Sequence, residues 1–243
     1  MSQPAQVVDV YKHGDMWAEN YDFQHQEYRV CWHGHWRDSP DLTAFPQVPN
    51  ATVTLIAHSP EVDKLWAKSQ VIRYGGDSHV RLLDREPSKD GEDEGEEDEF
   101  PVCKVAVNDH QRRFIVDEFD ILRELGSTDA PVVRVHPEPL IDEEGIFGFR
   151  MEKLIPIDPG SEVDKDEIIR CLDKIHEKGI VHNDFHISNV MRNKEGQVVA
   201  IDFGRSGRVG GKIAPEKRSP LWKAELYSFE ADHLFLNKFF KFF

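Results

Sequence analysis

The chain has 243 residues, with 30 lysines and arginines against 45 aspartates and glutamates and a formal net charge of -15. An acidic chain is repelled by a phosphate backbone, which sets nucleic acid aside as its main partner, and its length allows one large domain or a two-lobed one. Three widely spaced cysteines without zinc-like pairing, no basic-then-apolar opening and no apolar run of membrane-spanning length lead us to expect a cytoplasmic or nuclear protein without a signal peptide or transmembrane segment.

Residues 28–36 and 51–57 are rich in β-branched and aromatic side chains and read as strands, separated by Pro40, Pro46 and Pro49. They belong to a β-rich extension over residues 1–68, which is expected to enlarge the sheet that follows. His33 and His35 alternate on one strand face, but no cysteine or aspartate stands at ligand spacing, so they read as surface residues. Residues 69–84 form a strand, a Gly75-Gly76 turn and a second strand. The stretch 90–99 is almost wholly acidic, repels itself and stays solvated, so residues 88–99 are expected to be a disordered insertion able to meet a basic partner.

Residues 100–107 form an apolar strand interrupted by Lys104, a cation that needs a partner or ligand if the strand is buried. From Asn108 or Asp109 to Leu125 the periodicity is helical, with Phe114, Ile121, Leu122 and Leu125 on one face and Gly126 as a stop. Glu118 falls on that apolar face, where a carboxylate is costly unless paired, and Lys104 is the nearest candidate partner. Residues 131–135 and 145–154 read as strands. Residues 164–179 read as a helix with acids at its start, an apolar stripe through Ile168, Ile169, Leu172, Ile175 and His176, and Gly179 at its end. A last helix is expected over about residues 221–243, its phenylalanines packed in the core.

Between these helices, residues 180–204 hold a hairpin signal: apolar runs at Val190 and at 198–201 flank a turn from Asn193 to Gly196. The hairpin brings Asn189 and Asp202 close together, and Asp184 lies five residues before Asn189. A carboxamide and a carboxylate at a strand edge suit Mg²⁺, which takes oxygen ligands and shares them with phosphates. Asp184 is then free to accept a proton.

The pattern His182-x-Asp184-x-x-x-x-Asn189, followed by Asp202-Phe203-Gly204, resembles the catalytic loop and metal-binding motif of the protein-kinase-like superfamily. The resemblance implies an α+β, two-lobed fold. Its β-rich N-lobe would cover residues 69–153, its shortened and mainly helical C-lobe residues 154–243, and ATP with Mg²⁺ would lie between them. It implies a catalytic set of Asp184, His182, Lys104 and Glu118, with Asn189 and Asp202 on the metal. Asp184 would deprotonate a hydroxyl, Lys104 reach the phosphates and Glu118 position Lys104. With Val80 on the family valine, Gly75 falls on a family glycine, while Arg73 and Ser78 occupy the other two. Val102 would also line the nucleotide, Met151 gate the back of the pocket, and Glu152 and Leu154 offer backbone to the adenine. Asp232 corresponds to the aspartate that buttresses the catalytic loop.

The implied activity is transfer of the γ-phosphate of ATP to a hydroxyl, as an atypical Ser/Thr protein kinase whose compactness is similar to the RIO type. Asn183 stands where regulated protein kinases carry arginine before the catalytic aspartate, and His186 where they carry lysine. The histidine is similar to the aminoglycoside and choline kinase branch, so a small-molecule kinase is the alternative. A pseudokinase scaffold is the third reading, drawn from the sparse glycine loop.

Overall fold

Four strands open the chain: β1 (Ala5–His13), β2 (Met16–Phe23), β3 (Gln26–Trp32) and β4 (Ala51–Leu55). They pair in chain order as an antiparallel meander in this computed structural model, which describes residues 4–74, 77–84, 98–157, 165–218 and 224–240. The β2–β3 turn is made by Gln24 and His25, both at positive φ (53° and 61°), the backbone that matches the right-handed twist of a two-residue hairpin.

After a short helix α1 (Pro60–Trp66), capped by Ser59, come β5 (Ser69–Tyr74), β6 (His79–Leu83) and β7 (Val102–Val105). Helix α2 (Asp109–Gly126) follows, then β8 (Leu140–Asp142) and β9 (Gly145–Met151). The second sheet is antiparallel in the order β5-β6-β7-β9-β8. The N-terminal strands therefore form a sheet of their own and do not enlarge this one. Asn108 caps α2 by accepting from Gln111 N at 3.0 Å, and the Gln111 side chain accepts in turn from Val107 N at 2.9 Å.

The rest of the chain comprises β10 (Ile155–Pro156), α3 (Lys165–Glu177), β11 (Ile180–Val181), the hairpin β12 (Val190–Arg192) and β13 (Val198–Ala200), β14 (Gly207–Arg208) and α4 (Phe229–Phe240). The hairpin pairs Val190 with Ala200, and the Asn193 side chain closes its turn by accepting from Glu195 N and Gln197 N. Residues 131–135 do not form the expected continuous strand. They change partner partway, Val132 bridging to Ala200 and Val135 to Met151. The last helix starts at Phe229, later than expected, because Tyr227 is tied by backbone bonds to Gly210 and Gly211. The expected acidic insertion lies outside the described residues apart from Asp98 and Glu99.

One core joins α2, α3, α4 and the β12–β13 hairpin through Phe119, Phe149, Leu172, Phe185, Phe203 and Leu236. The two large sheets meet over a polar seam. Arg81 lies over the Trp66 ring at 4.1 Å and bonds to Asp22 at 2.9 Å. Glu27 is completely buried, accepts from Asn20 at 2.9 Å and from His58 at 3.1 Å, and has His79 at 3.8 Å. All three cysteines are buried.

Burial holds His79 neutral, its pKa pushed down to about 4 against the raising influence of Glu27, and Glu27 itself lies below its ordinary value. Between about pH 6.5 and 4 the unfolded chain binds a proton at this histidine that the folded chain does not, so stability falls as pH drops through that window. We expect His79 to withdraw up to about 3 kcal/mol of stability as pH falls from 6.5 to 4, read as the difference in urea denaturation between the parent and His79→Gln, in which the Glu118 contribution cancels. That difference should change steadily between pH 6.5 and 4; a difference independent of pH would remove His79 as the cause.

Candidate active site

Three elements converge on one ammonium group. Lys104 stands in the middle of β7, between Val80 of β6 and Phe149 of β9, and is 6% exposed. Its Nζ lies 2.6 Å from Glu118 Oε2 on α2 and 2.7 Å from Asp202 Oδ1, just beyond β13. Glu118, itself 2% exposed, also accepts from the backbone N of Phe203 at 3.2 Å. The middle of α2 is thereby fixed both to the sheet and to the Asp202-Phe203-Gly204 segment. Asp202 is half-exposed and sits at φ 66°, a left-handed backbone that aspartate tolerates better than most residues.

Burial is the largest influence on all three groups. It opposes the charge on Lys104, but Asp202 and then Glu118 outweigh it and hold the ammonium above its ordinary pKa. It pushes the Glu118 carboxyl up to about 7 against the pull of Lys104. At Asp202 the lysine overcomes burial and the pKa is lowered.

The loop that carries Asp184 is held from beneath by Asp232 of α4. This fully buried carboxylate accepts from His182 N at 2.8 Å, Asn183 N at 2.6 Å and His176 Nε2 at 2.9 Å. His182 is also fully buried; its Nε2 meets Ile201 O at 2.8 Å and its ring packs against Phe185 and Phe203. Expected among the catalytic residues, it lies buried, its ring enclosed by Phe185 and Phe203. Asp184 is partly exposed, with His186 Nε2 at 3.7 Å. The Asn189 amide donates to Asp184 O at 3.0 Å, and Asn189 O accepts from Ile201 N at 2.9 Å, which sets Asn189 beside Asp202 as the hairpin signal indicated. The Asn189 carboxamide oxygen and the half-exposed Asp202 carboxylate are hard oxygen donors of the kind Mg²⁺ takes. No cluster of three or more His, Cys, Asp or Glu that could hold a metal by protein ligands alone occurs among the described residues.

Of the expected nucleotide contacts, Val80 and Val102 lie in adjacent strands and Val102 pairs with Met151. Leu154 packs on the core. Glu152 turns its side chain inward to accept from Arg134 N at 2.8 Å, and its own N–H donates to Arg134 O. The Glu152 N–H is thus already used within the fold. Gly75 lies outside the described residues.

Sequence reasoning missed the ties of residues 205–218. Asn183, in a left-handed backbone at φ 63°, donates to Lys217 O at 3.1 Å and Arg205 O at 3.3 Å. Lys217 is buried and pairs with Asp117 of α2 at 2.6 Å; Arg205 pairs with Asp77, two residues before β6, at 2.7 Å. An asparagine directly before Asp184 was the available signal.

Among the described residues no helix is long and apolar enough to cross a membrane. The model of the ABC1 atypical kinase-like domain matches residues 150–233. A stretch of 53 residues is 43% identical to the chloroplastic serine/threonine-protein kinase STN8 of Arabidopsis thaliana, taking in 21% of this chain and 11% of that protein.

Removing the cation leaves Glu118 buried beside Asp202. Lys104→Met should therefore lower stability by about 3 kcal/mol at pH 8 in urea denaturation. Without the ammonium, the Glu118 carboxyl rises further and takes up a proton on acidification, so the loss should shrink at pH 6. An equal loss at both pH values would show that packing, not charge, sets the cost.

Proposed function

The chain is an atypical member of the protein-kinase-like superfamily, and from that premise we propose that it transfers the γ-phosphoryl group of ATP to a hydroxyl, in a cleft between a β-rich lobe and a shortened helical lobe. The observation that carries this reading is the Lys104–Glu118–Asp202 cluster, which joins a cation from the sheet, a carboxylate from α2 and the carboxylate of the Asp-Phe-Gly segment.

In this reading Lys104 steadies the α- and β-phosphates, and Glu118 positions Lys104. Asp184 orients the acceptor hydroxyl and takes its proton as the new oxygen–phosphorus bond forms and ADP departs. Asn189 and Asp202 hold Mg²⁺, which supplies charge neutralisation at the phosphates when bound. Little covalent chemistry falls to the protein, so positioning and electrostatics supply most of the rate. Because neutral Asn183 ties residues 205–218 through their carbonyls, this segment needs no phosphate-to-arginine contact to hold its place.

The acceptor is a serine or threonine of a protein, supported by the match to a serine/threonine kinase. One observation favours a small hydroxyl compound instead: His186 Nε2 stands 3.7 Å from Asp184, where conventional protein kinases present lysine.

Purified protein with γ-labelled ATP and Mg²⁺ should move label to a protein substrate, and Asp184→Ala or Asp202→Asn should reduce transfer at least about a hundredfold, Asp184→Ala with the melting temperature within about 2 °C of the parent. Label on a small compound from a hydroxyl panel would move the acceptor class. Full activity in Asp202→Asn would refute the mechanism. Thermal stabilisation by ATP without label transfer under any condition would make the protein a nucleotide-binding scaffold.

A further inference from the structure

Away from the proposed cleft, a second cavity of about 480 Å³ opens where the segment leading into α1 meets the start of α2 and the β8–β9 turn. Ser59 lines it, immediately before Pro60, in a link without regular secondary structure between β4 and α1. Its backbone is extended (φ -66°, ψ 155°), the conformation in which a peptide enters another enzyme's site, and the residue is half-buried. The Ser59 hydroxyl donates to Asp142 Oδ2 at 2.7 Å. The Asp142 side chain is completely buried and is gripped by Arg112 of α2 through two bonds of 2.9 and 2.5 Å. One hydroxyl hydrogen therefore completes the junction between the N-terminal region and the helix that carries Glu118.

The charge around that hydroxyl is lopsided. Asp109, Asp142, Glu143 and Glu144 line the cavity against Arg112 and His58. Arg112 is already committed to Asp142 and Glu144, and His58 to Glu27. A phosphate at Ser59 would replace a donor with a group of about -1.5 to -2 charge that faces an ionised, buried carboxylate.

We propose that Ser59 is a phosphorylation site for a proline-directed serine/threonine kinase acting in trans, and that its phosphate opens the junction between α1, α2 and the β8–β9 turn. In the transfer, Ser59 Oγ bonds to the γ-phosphorus of ATP and the bond from that phosphorus to the β–γ bridging oxygen breaks. ADP leaves with the electron pair, and the hydroxyl proton passes to the modifying kinase's base. The phosphate repels Asp142, α1 loses its tie to β8, and the first turns of α2 loosen. Any effect on Lys104 and Glu118 rests on the function proposed above; the junction's opening does not.

The test uses the full chain, treated with a proline-directed kinase and Mg²⁺-ATP, with phosphosites mapped by mass spectrometry and α2 followed by amide hydrogen exchange. We expect phosphate at Ser59, none there in Ser59→Ala, and exchange over residues 109–116 about tenfold faster after modification. In Asp142→Asn the repelling charge is gone and Arg112 is free to pair with the phosphate, so modification should no longer speed exchange there. The proposal is overturned if Ser59 stays unmodified while a peptide of residues 55–66 is labelled, or if only Ser39 or Ser219, the other serines followed by proline, take phosphate. It is equally overturned if modified Ser59 leaves residues 109–116 unchanged, or if the acceleration persists in Asp142→Asn. None of these readouts uses phosphotransfer by this protein, so a failure of the proposed activity would leave the test intact.

Discussion

A single buried ammonium between two carboxylates is the constraint on which the site depends. Lys104 cannot be desolvated alone, and Glu118 cannot be buried alone, so β7 and α2 are obliged to meet. The meeting is backed by packing: Phe119 of α2 stacks on Phe149 of β9 at 5.6 Å, one strand away from the ion pair. It is also backed by a missing side chain. A Cβ at Gly148 would come within 2.8 Å of Lys104 O and 2.7 Å of a Val105 methyl, so glycine lets β9 lie flat against the strand that presents the cation. Of the two carboxylates, Asp202 is the half-exposed member.

A second buried carboxylate organises the other wall. Asp232 ties α4 to α3 through His176 and to the loop through the backbone of His182 and Asn183. Two of its three directed bonds hold the loop and the third holds α3. The side chains then divide by depth: His182 and Asn183 face inward to frame and segment, while Asp184 remains partly exposed.

Much of this was legible in the sequence where a local signal coincides with a strong physical demand. Helix α2 shows its apolar face and its asparagine cap, and a carboxylate on that face announces a hidden partner. The β12–β13 hairpin shows its turn residues, and the order of Asp184, Asn189 and Asp202 follows from it. What was not legible depends on long-range packing. Nothing near residues 28–36 or 51–57 says whether those strands join an existing sheet or make another; that is decided by the seam of Arg81, Trp66, Glu27 and His58, drawn from four separate segments. The switch of residues 131–135 between two partners, and the inward turn of the Glu152 side chain, are likewise set by neighbours distant in sequence.

The burial of all three thiols has a use outside the chemistry of the site. Cys31 lies in β3, Cys103 beside Lys104 in β7 and Cys171 in α3, and burial raises each thiol, the latter two to about 12. A thiolate is the reactive form, so burial and the raised thiols both slow alkylation of the folded chain. Each cysteine becomes reactive only when its own surroundings open. The N-terminal sheet, the lysine-bearing sheet and the helical region therefore each carry a native chemical clock.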